Sequence, residues 1–482
     1  MGEISTTSLR PQLYYIDISH NNNHLPYGAV YIQTHGRICF DDLPTMLHRG
    51  PLISATPAVG TISADDMGRS RASSPAMTDS TMESRNDAPE PGSILERLPS
   101  ELLHQILSYL SARDLGCISE TSRTLAAHGS NDLLWADLVN ANLPIKIDHP
   151  GPFDSFRRLY ASYYPSWFIP QSKIWFSDTE HTGNLILARY DNRRGVVEAF
   201  RILADNRNTL FQIWDWDPDV IILTFEPRVY LWFDDPIVLL KSSTTTAFPR
   251  RPNYLRGESR MPMAVESQNV YNAMSLCSQE IPSHVTVRPD RLWPPPSIPS
   301  ASRVYRDVES HWSQWENPPE RVSQICESAF RVRRWAHFRL GLPILTAGSS
   351  ETLTTYATLD PDLYTPTREK PYQGIWVGDY EAHGCEFLLF LQRDGSVGGE
   401  SHNEEEIEDG AIIQRGSLEA IKLTGDPNVP RGQISVIAED IGPGGLVRIA
   451  DESPFEGARI VKSRGHVAGV GFLDGTYMAT VY

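Results

Sequence analysis

Cysteine is scarce in this sequence and its few copies are unpaired in pattern. The five, Cys39, Cys117, Cys277, Cys326 and Cys385, lie far apart with no Cys-x-x-Cys and no regular spacing. That excludes a disulfide scaffold, leaves no zinc constellation, and fits free thiols in a reducing compartment. No apolar run is long enough to span a bilayer, and no charged-then-apolar start of the signal-peptide kind is present. Neither membrane association nor secretion is expected, and the cytoplasm or nucleus is. Positive charge is short as well: 43 Lys and Arg stand against 60 Asp and Glu, a net charge of −17. Such a balance argues against nonspecific binding to nucleic acid or an anionic membrane. No repeat of fixed period runs along the chain.

Catalytic signatures are also missing. There is no Gly-x-Ser-x-Gly elbow, no phosphate-cradling Gly-x-x-x-x-Gly-Lys-Ser/Thr and no His-Glu-x-x-His. Gly469-Val-Gly-Phe lacks the third glycine of dinucleotide spacing. Asp215, Asp217, Asp219 and Glu226 match calcium-loop positions, but Val220 stands where that loop needs Gly to turn sharply, so an acidic turn between strands is expected. His383 and Cys385 are near neighbours without an orienting group or an oxyanion site. The residues therefore predict no metal site, no cofactor and no catalytic side chain.

What is present is a chain of 482 residues, enough for two or three domains, with 36 prolines, 33 glycines and 10% aromatics, a composition that suits a turn-rich β body. One stretch stands apart. From Ser93 the chain reads Ser-Ile-Leu-Glu-Arg-Leu-Pro-Ser-Glu-Leu-Leu-His-Gln-Ile-Leu-Ser-Tyr-Leu-Ser-Ala-Arg-Asp-Leu and closes on Leu134-Trp135. Leu102, Leu103, Ile106, Leu107 and Leu110 fall at helical spacing, after a Pro99-Ser100-Glu101 start. Ser111 and Asp114 form a Ser-x-x-Asp cap, which predicts a second helix from about Ala112, with Leu115, Ile118, Ser122 and Leu125 on one face. Leu134, Trp135 and Leu138 belong to a third helical piece. Helices this short cannot bury that much leucine among themselves, and each large apolar side chain left in water forgoes roughly 1.5–3 kcal/mol. The surplus face calls for a partner.

The order Leu-Pro-x-Glu-Leu-Leu, Ile-Leu-x-x-Leu, Asp-Leu and Leu-Trp resembles the F-box, the module that docks onto the Skp adaptor of cullin-based ubiquitin ligases. The resemblance implies an adaptor face of Leu98, Pro99, Leu102, Ile106, Leu107, Leu110, Leu115 and Trp135 within an F-box of residues 93–140.

Around that module, residues 1–92 read as a disordered lead-in, with possible strands such as Gly28–Gln33 that find no pairing element. Residues 141–170 read as a helical linker, with a helix from Phe153 to Tyr164 ended by Pro165. Residues 171–482 read as a β domain of short strands, interrupted by a long loop insertion over 241–300. A helix is expected from Pro319, because Val322, Ile325, Cys326, Ala329 and Ala336 recur at helical spacing, with Arg331, Arg333, Arg334 and Arg339 on its solvated side. Glu404–Asp409 reads as a solvated acidic loop. The expected fold class is α+β: a small all-helical F-box, then a predominantly antiparallel β-barrel with a helical insertion.

Gly374-Ile-Trp-Val-Gly-Asp-Tyr-Glu-Ala-His-Gly-Cys-Glu, Ala420-Ile-Lys-Leu-Thr-Gly-Asp-Pro-Asn-Val-Pro-Arg-Gly-Gln and Gly465-His-Val-Ala-Gly-Val-Gly-Phe resemble a specific group. It comprises the F-box-only proteins with a C-terminal D-type-cyclin-binding domain, of the F-box-only protein thirty-one type, here in a fungal form. The resemblance implies a noncatalytic substrate receptor in a Skp–cullin–F-box ligase, whose partners are the Skp adaptor, the cullin scaffold and a client read at its C-terminal end. In the Gly425-Asp426-Pro427-Asn428 loop, Asp, Pro and Asn suit successive places of a β-turn. The loop also offers Asp426 and Asn428 at a pocket mouth, with His383 and Trp376 as further candidate client-binding residues. Two alternatives stand beside this reading: a small-ligand-binding or enzymatic β domain regulated through its F-box, and an F-box scaffold outside any ligase.

Overall fold

The computed structural model describes residues 13–17, 37–39 and 93–481, apart from 207–209, 215–216, 225–226, 243–254, 256, 262–269, 282–285, 307–317, 338–348, 381–383, 395–413, 452–456 and 470–474. His383, Asp215, Glu226, Arg339, Gly28–Gln33 and the Glu404–Asp409 run lie outside the described residues. The chain forms two compact units, Pro44–Gly129 and the remainder, Met1–Leu43 with Ser130–Tyr482.

In the first unit, a single 3-10 turn at Leu95–Arg97 leads into α1 (Ser100–Leu107), α2 (Ala112–Ser119) and α3 (Arg123–Gly129). The α2 start lies where the Ser-x-x-Asp pattern predicts it. Ser111 Oγ accepts from Asp114 N at 3.2 Å and donates to the Asp114 carboxylate at 2.7 Å. Ser111→Ala removes both bonds and is expected to cost about 1 kcal/mol, read as a lower midpoint for helix melting in the intact chain. Glu96 reaches across from the 3-10 turn to accept from Ser122 Oγ at 2.5 Å. That hydrogen bond, with those from Ser93, holds the Glu96 carboxyl below the ordinary range.

The second unit opens with α4 (Asp132–Ala141), where Asn131 Oδ1 accepts from Leu133 N at 3.0 Å. Next come α5 (Phe156–Tyr163), inside the helix expected from Phe153, and α6 (Phe168–Ser172). Strands then dominate: β3 (Ile174–Ser177), β4 (Leu185–Asp191), β5 (Val196–Asn206), a separate hairpin of β6 (Leu210–Trp214) and β7 (Asp217–Thr224), β8 (Pro227–Trp232) and β9 (Val238–Lys241). β10 (Ser259–Met261) and β11 (Val270–Ser278) precede a two-strand pair, β12 (Leu292–Trp293) with β13 (Val304–Tyr305), and the long β14 (Ile325–His337) and β15 (Ser349–Thr358). One sheet runs β10-β11-β14-β15-β3-β4-β5-β8, with β9 also on β5. It curls so that Leu239 N of β9 donates to Met261 Sδ of β10 at 3.3 Å.

After α7 (Pro361–Tyr364), the other sheet takes β16 (Gly374–Asp379), β17 (Cys385–Arg393), β18 (Ser417–Lys422), β19 (Ile434–Ala438), β20 (Leu446–Ile449), β21 (Arg459–Val467) and β22 (Thr476–Val481). It is extended by β1 (Leu13–Asp17) and β2 (Arg37–Cys39), the latter pair parallel and the remaining pairs antiparallel. The architecture is thus α+β, a helical F-box region followed by antiparallel sheets that form half-barrels. One core joins the two sheets: Phe176, Phe200 and Ala329 of the first pack in the same cluster as Ile375, Leu389 and Ile421 of the second. Trp293, buried in that core, carries the Arg431 and Arg306 guanidiniums 4.6 and 5.6 Å from its ring centre.

Three expectations are corrected. The stretch from Pro319 is no helix: a 3-10 turn at Val322–Gln324 runs straight into β14. Phe330 and Val332 are buried while Arg331 and Arg333 between and beyond them are not, an alternation of period two that overrides the accidental helical spacing. The arginines are not simply solvated, since Arg334 reaches Asp235 at 2.7 Å and Arg333 chelates Glu258. The 241–300 stretch is not only a loop, because it supplies β10 and β11, and β11 pairs with β14 along its length. Within the N-terminal stretch expected to lack structure, Leu13–Asp17 and Arg37–Cys39 are strands, and β1 pairs with β16 from Leu13↔Gly378 to Ile16↔Ile375.

Candidate functional site

Two surfaces gather the residues singled out in the sequence. The first is α1 of the helical unit. Leu103 and Leu107, one turn apart, are 1% and 0% exposed, while Leu102 and Ile106, the neighbouring stripe, are 49% and 42% exposed. Tyr109, three residues after Ile106, extends that outer stripe at 81%, and Ile94, before the 3-10 turn, is 85% exposed. Pro99 is exposed, and Leu98 and Leu110 are half-buried. Of the eight adaptor-facing residues expected, three therefore face inward. Leu107 and Leu115 are core, and Trp135 is buried edge-to-face on Tyr160 at 5.6 Å, with Arg157 5.6 Å over its ring. The periodicity that identified them cannot separate a buried stripe from an outer one when both are aliphatic. The exposure of Ile94 and Tyr109 was not read from the sequence, since neither lies within the apolar periodicity of α1.

The second surface is the face of the β16–β19 sheet turned away from the shared core. Cross-strand register sets Trp376, Leu388 and Lys422 in one row, and Gly378 opposite Glu386 in the next. Trp376 lies against Phe390 at 5.4 Å and donates its indole N–H to Tyr372 O at 3.0 Å. Leu388, Phe390, Ala420 and Val436 form a small cluster under Trp376 and Tyr380.

Beside this aromatic wall lie three buried charged residues. Lys422 Nζ is 2.6 Å from Glu386 Oε2 and 2.8 Å from Asp426 Oδ2, and 4.2 Å from the Tyr380 ring centre. Tyr380 OH and Ser435 Oγ are 3.1 Å apart. Burial pushes the Glu386 carboxyl up to about 8, against the pull of Lys422. For Asp426 burial acts the same way, but the neighbouring Glu386 carboxyl and hydrogen bonds from Lys422 and Val429 N outweigh it and bring the carboxyl down to about 2. Two carboxyls share one ammonium, so Asp426 keeps the charge and Glu386 keeps a proton.

Asp426 does not present its carboxylate outward, as the sequence reading expected. It is 6% exposed, and Oδ1 accepts from Asn428 N at 2.6 Å and Val429 N at 2.8 Å. It builds the turn instead. Gly425 permits that turn, because a Cβ there would fall 2.5 Å from Arg431 N and 2.6 Å from Pro430 C. Asn428 and Trp376 are half-buried, Trp376 in β16 and Asn428 with Asp426 in the loop between β18 and β19; His383 lies outside the described residues. Glu386, Lys422 and Tyr380 were missed by the sequence reading. Their signal was a charged residue inside each of two otherwise apolar strands, Glu386-Phe-Leu-Leu-Phe-Leu and Ala420-Ile-Lys-Leu.

Among the described residues, no group of histidine, cysteine and acidic side chains is arranged to hold a metal ion, and no helix is long and apolar enough to cross a membrane.

With both surfaces in place, the comparisons with known proteins can be set against them. Residues 95–141 match the F-box-like family and residues 356–482 the Cyclin D1 binding domain family. The first match covers α1 to α4, the second runs from the end of β15 through β22. Together they support an F-box protein; F-box proteins are in general adaptors rather than enzymes, and neither match indicates a catalytic family. A stretch of 160 residues is 28% identical to Protein EXECUTER 2, chloroplastic, of Arabidopsis thaliana, covering 32% of this chain and 24% of that protein. The chain thus spans about a quarter of the length of that curated relative.

Proposed function

We propose that this chain is the substrate-recognition subunit of a Skp–cullin–F-box ubiquitin ligase. The observation that carries the reading is the outer stripe of α1, with Leu102, Ile106 and Tyr109 all more than two-fifths exposed on a module matching the F-box. An apolar stripe of that size on three short helices is stabilised by a partner. Leu98, Pro99 and Leu110 flank it, and the Skp adaptor, with cullin behind it, is the partner. The client docks at the aromatic face of the β16–β19 sheet, its C-terminal end against Trp376 and Asn428. The mechanism is proximity: the chain holds a client lysine at high effective concentration beside the conjugating enzyme and contributes no catalytic group of its own. The client is ubiquitinated in the cytoplasm or nucleus and degraded by the proteasome.

The client half of this reading is tested with Trp376→Ala combined with Asn428→Ala. Under proteasome inhibition, affinity capture followed by mass spectrometry should recover the adaptor and cullin in undiminished yield. Client proteins should fall at least about tenfold, the loss of one well-packed contact worth about 1.4 kcal/mol or more. An unchanged client set would overturn the docking face.

A further inference from the structure

The hydrogen bonds that shape the 425–429 loop lead back to one carboxylate, and that carboxylate shares a dry site with a second. Asp426 Oδ1 holds the N–H groups of Asn428 and Val429, and Oδ2 takes Lys422 Nζ. Glu386, 2% exposed, has Lys422 Nζ beside it, yet neither of its oxygens has a partner in hydrogen-bonding geometry. The titratable groups that meet here are Glu386 from β17, Lys422 from β18, Asp426 from the loop and Tyr380 after β16; β19 contributes the neutral Ser435 hydroxyl. Two carboxyls against one ammonium balance only when one carboxyl keeps its proton.

We propose that the proton Glu386 keeps while it shares Lys422 with Asp426 latches the 425–429 loop, so that rising pH frees the loop and loosens the docking face at Asn428. The proposal deepens the reading of that face as a client site, but the latch itself needs no client.

The sign follows from linkage. In the closed loop Glu386 keeps its proton; in the open loop it meets water and ionises at its ordinary value of about 4.3. The closed state therefore binds more protons over the interval between the two values, and opening becomes about tenfold easier per pH unit there. The gain levels off near 8, where the closed state also loses its proton.

Hydrogen exchange of the full chain reads this directly. Amide exchange of a locally opening loop rises about tenfold per pH unit by hydroxide catalysis alone, and a proton-coupled opening multiplies that slope. For the Asn428 and Val429 amides the rate should rise about 100-fold per unit between pH 5.5 and 7.5, returning to about tenfold above pH 8.5. In Glu386→Gln the rise should be about tenfold throughout. A tenfold slope in the wild-type chain overturns the latch, whether or not the variant folds, and so does a steep slope that persists in Glu386→Gln. Client capture at pH 6 and pH 8, run beside the exchange, separates the two ideas. A steep slope with pH-independent capture supports the latch and counts against docking at Asn428.

Discussion

Replacing Leu102 and Ile106 together by glutamate is expected to abolish co-purification with the Skp adaptor while the helices remain folded. The two side chains are 49% and 42% exposed, so their loss removes little from the interior, where Leu103, Leu107 and Leu115 are each 1% exposed or less. On docking, each can bury only the part still in water, about 0.7–1.5 kcal/mol of apolar burial, so removing both weakens binding by at least about tenfold before any charge is counted. Two carboxylates placed in an apolar interface add a desolvation penalty on top. Leu107→Glu is the matched control. It puts the charge into the interior and should melt the helical unit, lowering far-ultraviolet helicity as well as adaptor capture. Leu98→Ala with Pro99→Ala is a weaker probe, because Leu98 is half-buried and Pro99 is the cap residue of α1, so docking and helix geometry change together. Undiminished adaptor capture by the Leu102→Glu, Ile106→Glu chain, with helicity intact, would sink the assignment of the α1 stripe.

That contrast shows where the sequence was informative. The start of α2 was legible at Ser111 because a cap is a local bond between neighbours in sequence, whereas α5 begins at Phe156 behind a Ser155 cap, three residues after the expected Phe153. Which of two adjacent aliphatic stripes faces in is not local. Leu102 and Leu103 differ by about 100° around α1, and only the positions of α2 and α3 decide between them. β14 was misread for a related reason. Its far end carries Arg334, in step with the buried Phe330 and Val332 and bonded to Asp235 at 2.7 Å, so a polar group stands where strand alternation would place an apolar one. β11 hid behind Asn272, Ser275 and Ser278, residue types that read as loop although Asn272 is 1% exposed. The outer face of the β16–β19 sheet was half legible. Trp376 and the Gly425–Asn428 loop were found from a family pattern, whereas the buried charges behind them sit on strands over thirty residues apart and are joined only by register.

Lys422→Met tests those charges most severely. It should destabilise the chain by about 3–5 kcal/mol, because it strands a charged Asp426 in a dry site. A loss of that size is a large part of the roughly 5–15 kcal/mol that holds a domain folded. Lys422 is 1% exposed and the side chain lies on the Tyr380 ring, so Met fills much of the same space and packing loss contributes little. Glu386→Gln should behave in the opposite way. Glu386 is held protonated when folded and ionises when unfolded, so near pH 7 folding must rebind a proton that Gln never loses. That variant is expected to be neutral or stabilising at pH 7 and indistinguishable from wild type near pH 4. Adding Asp426→Asn to Lys422→Met removes the stranded charge and should recover part of the loss, while Asn keeps an oxygen for the Asn428 and Val429 amides. Denaturant unfolding of the four chains at pH 7 ranks them: Glu386→Gln at or above wild type, the double variant below it, Lys422→Met lowest. A Glu386→Gln chain as damaged as Lys422→Met would mean that Glu386 is ionised in the folded protein, and that Lys422 is shared equally between two carboxylates rather than committed to Asp426.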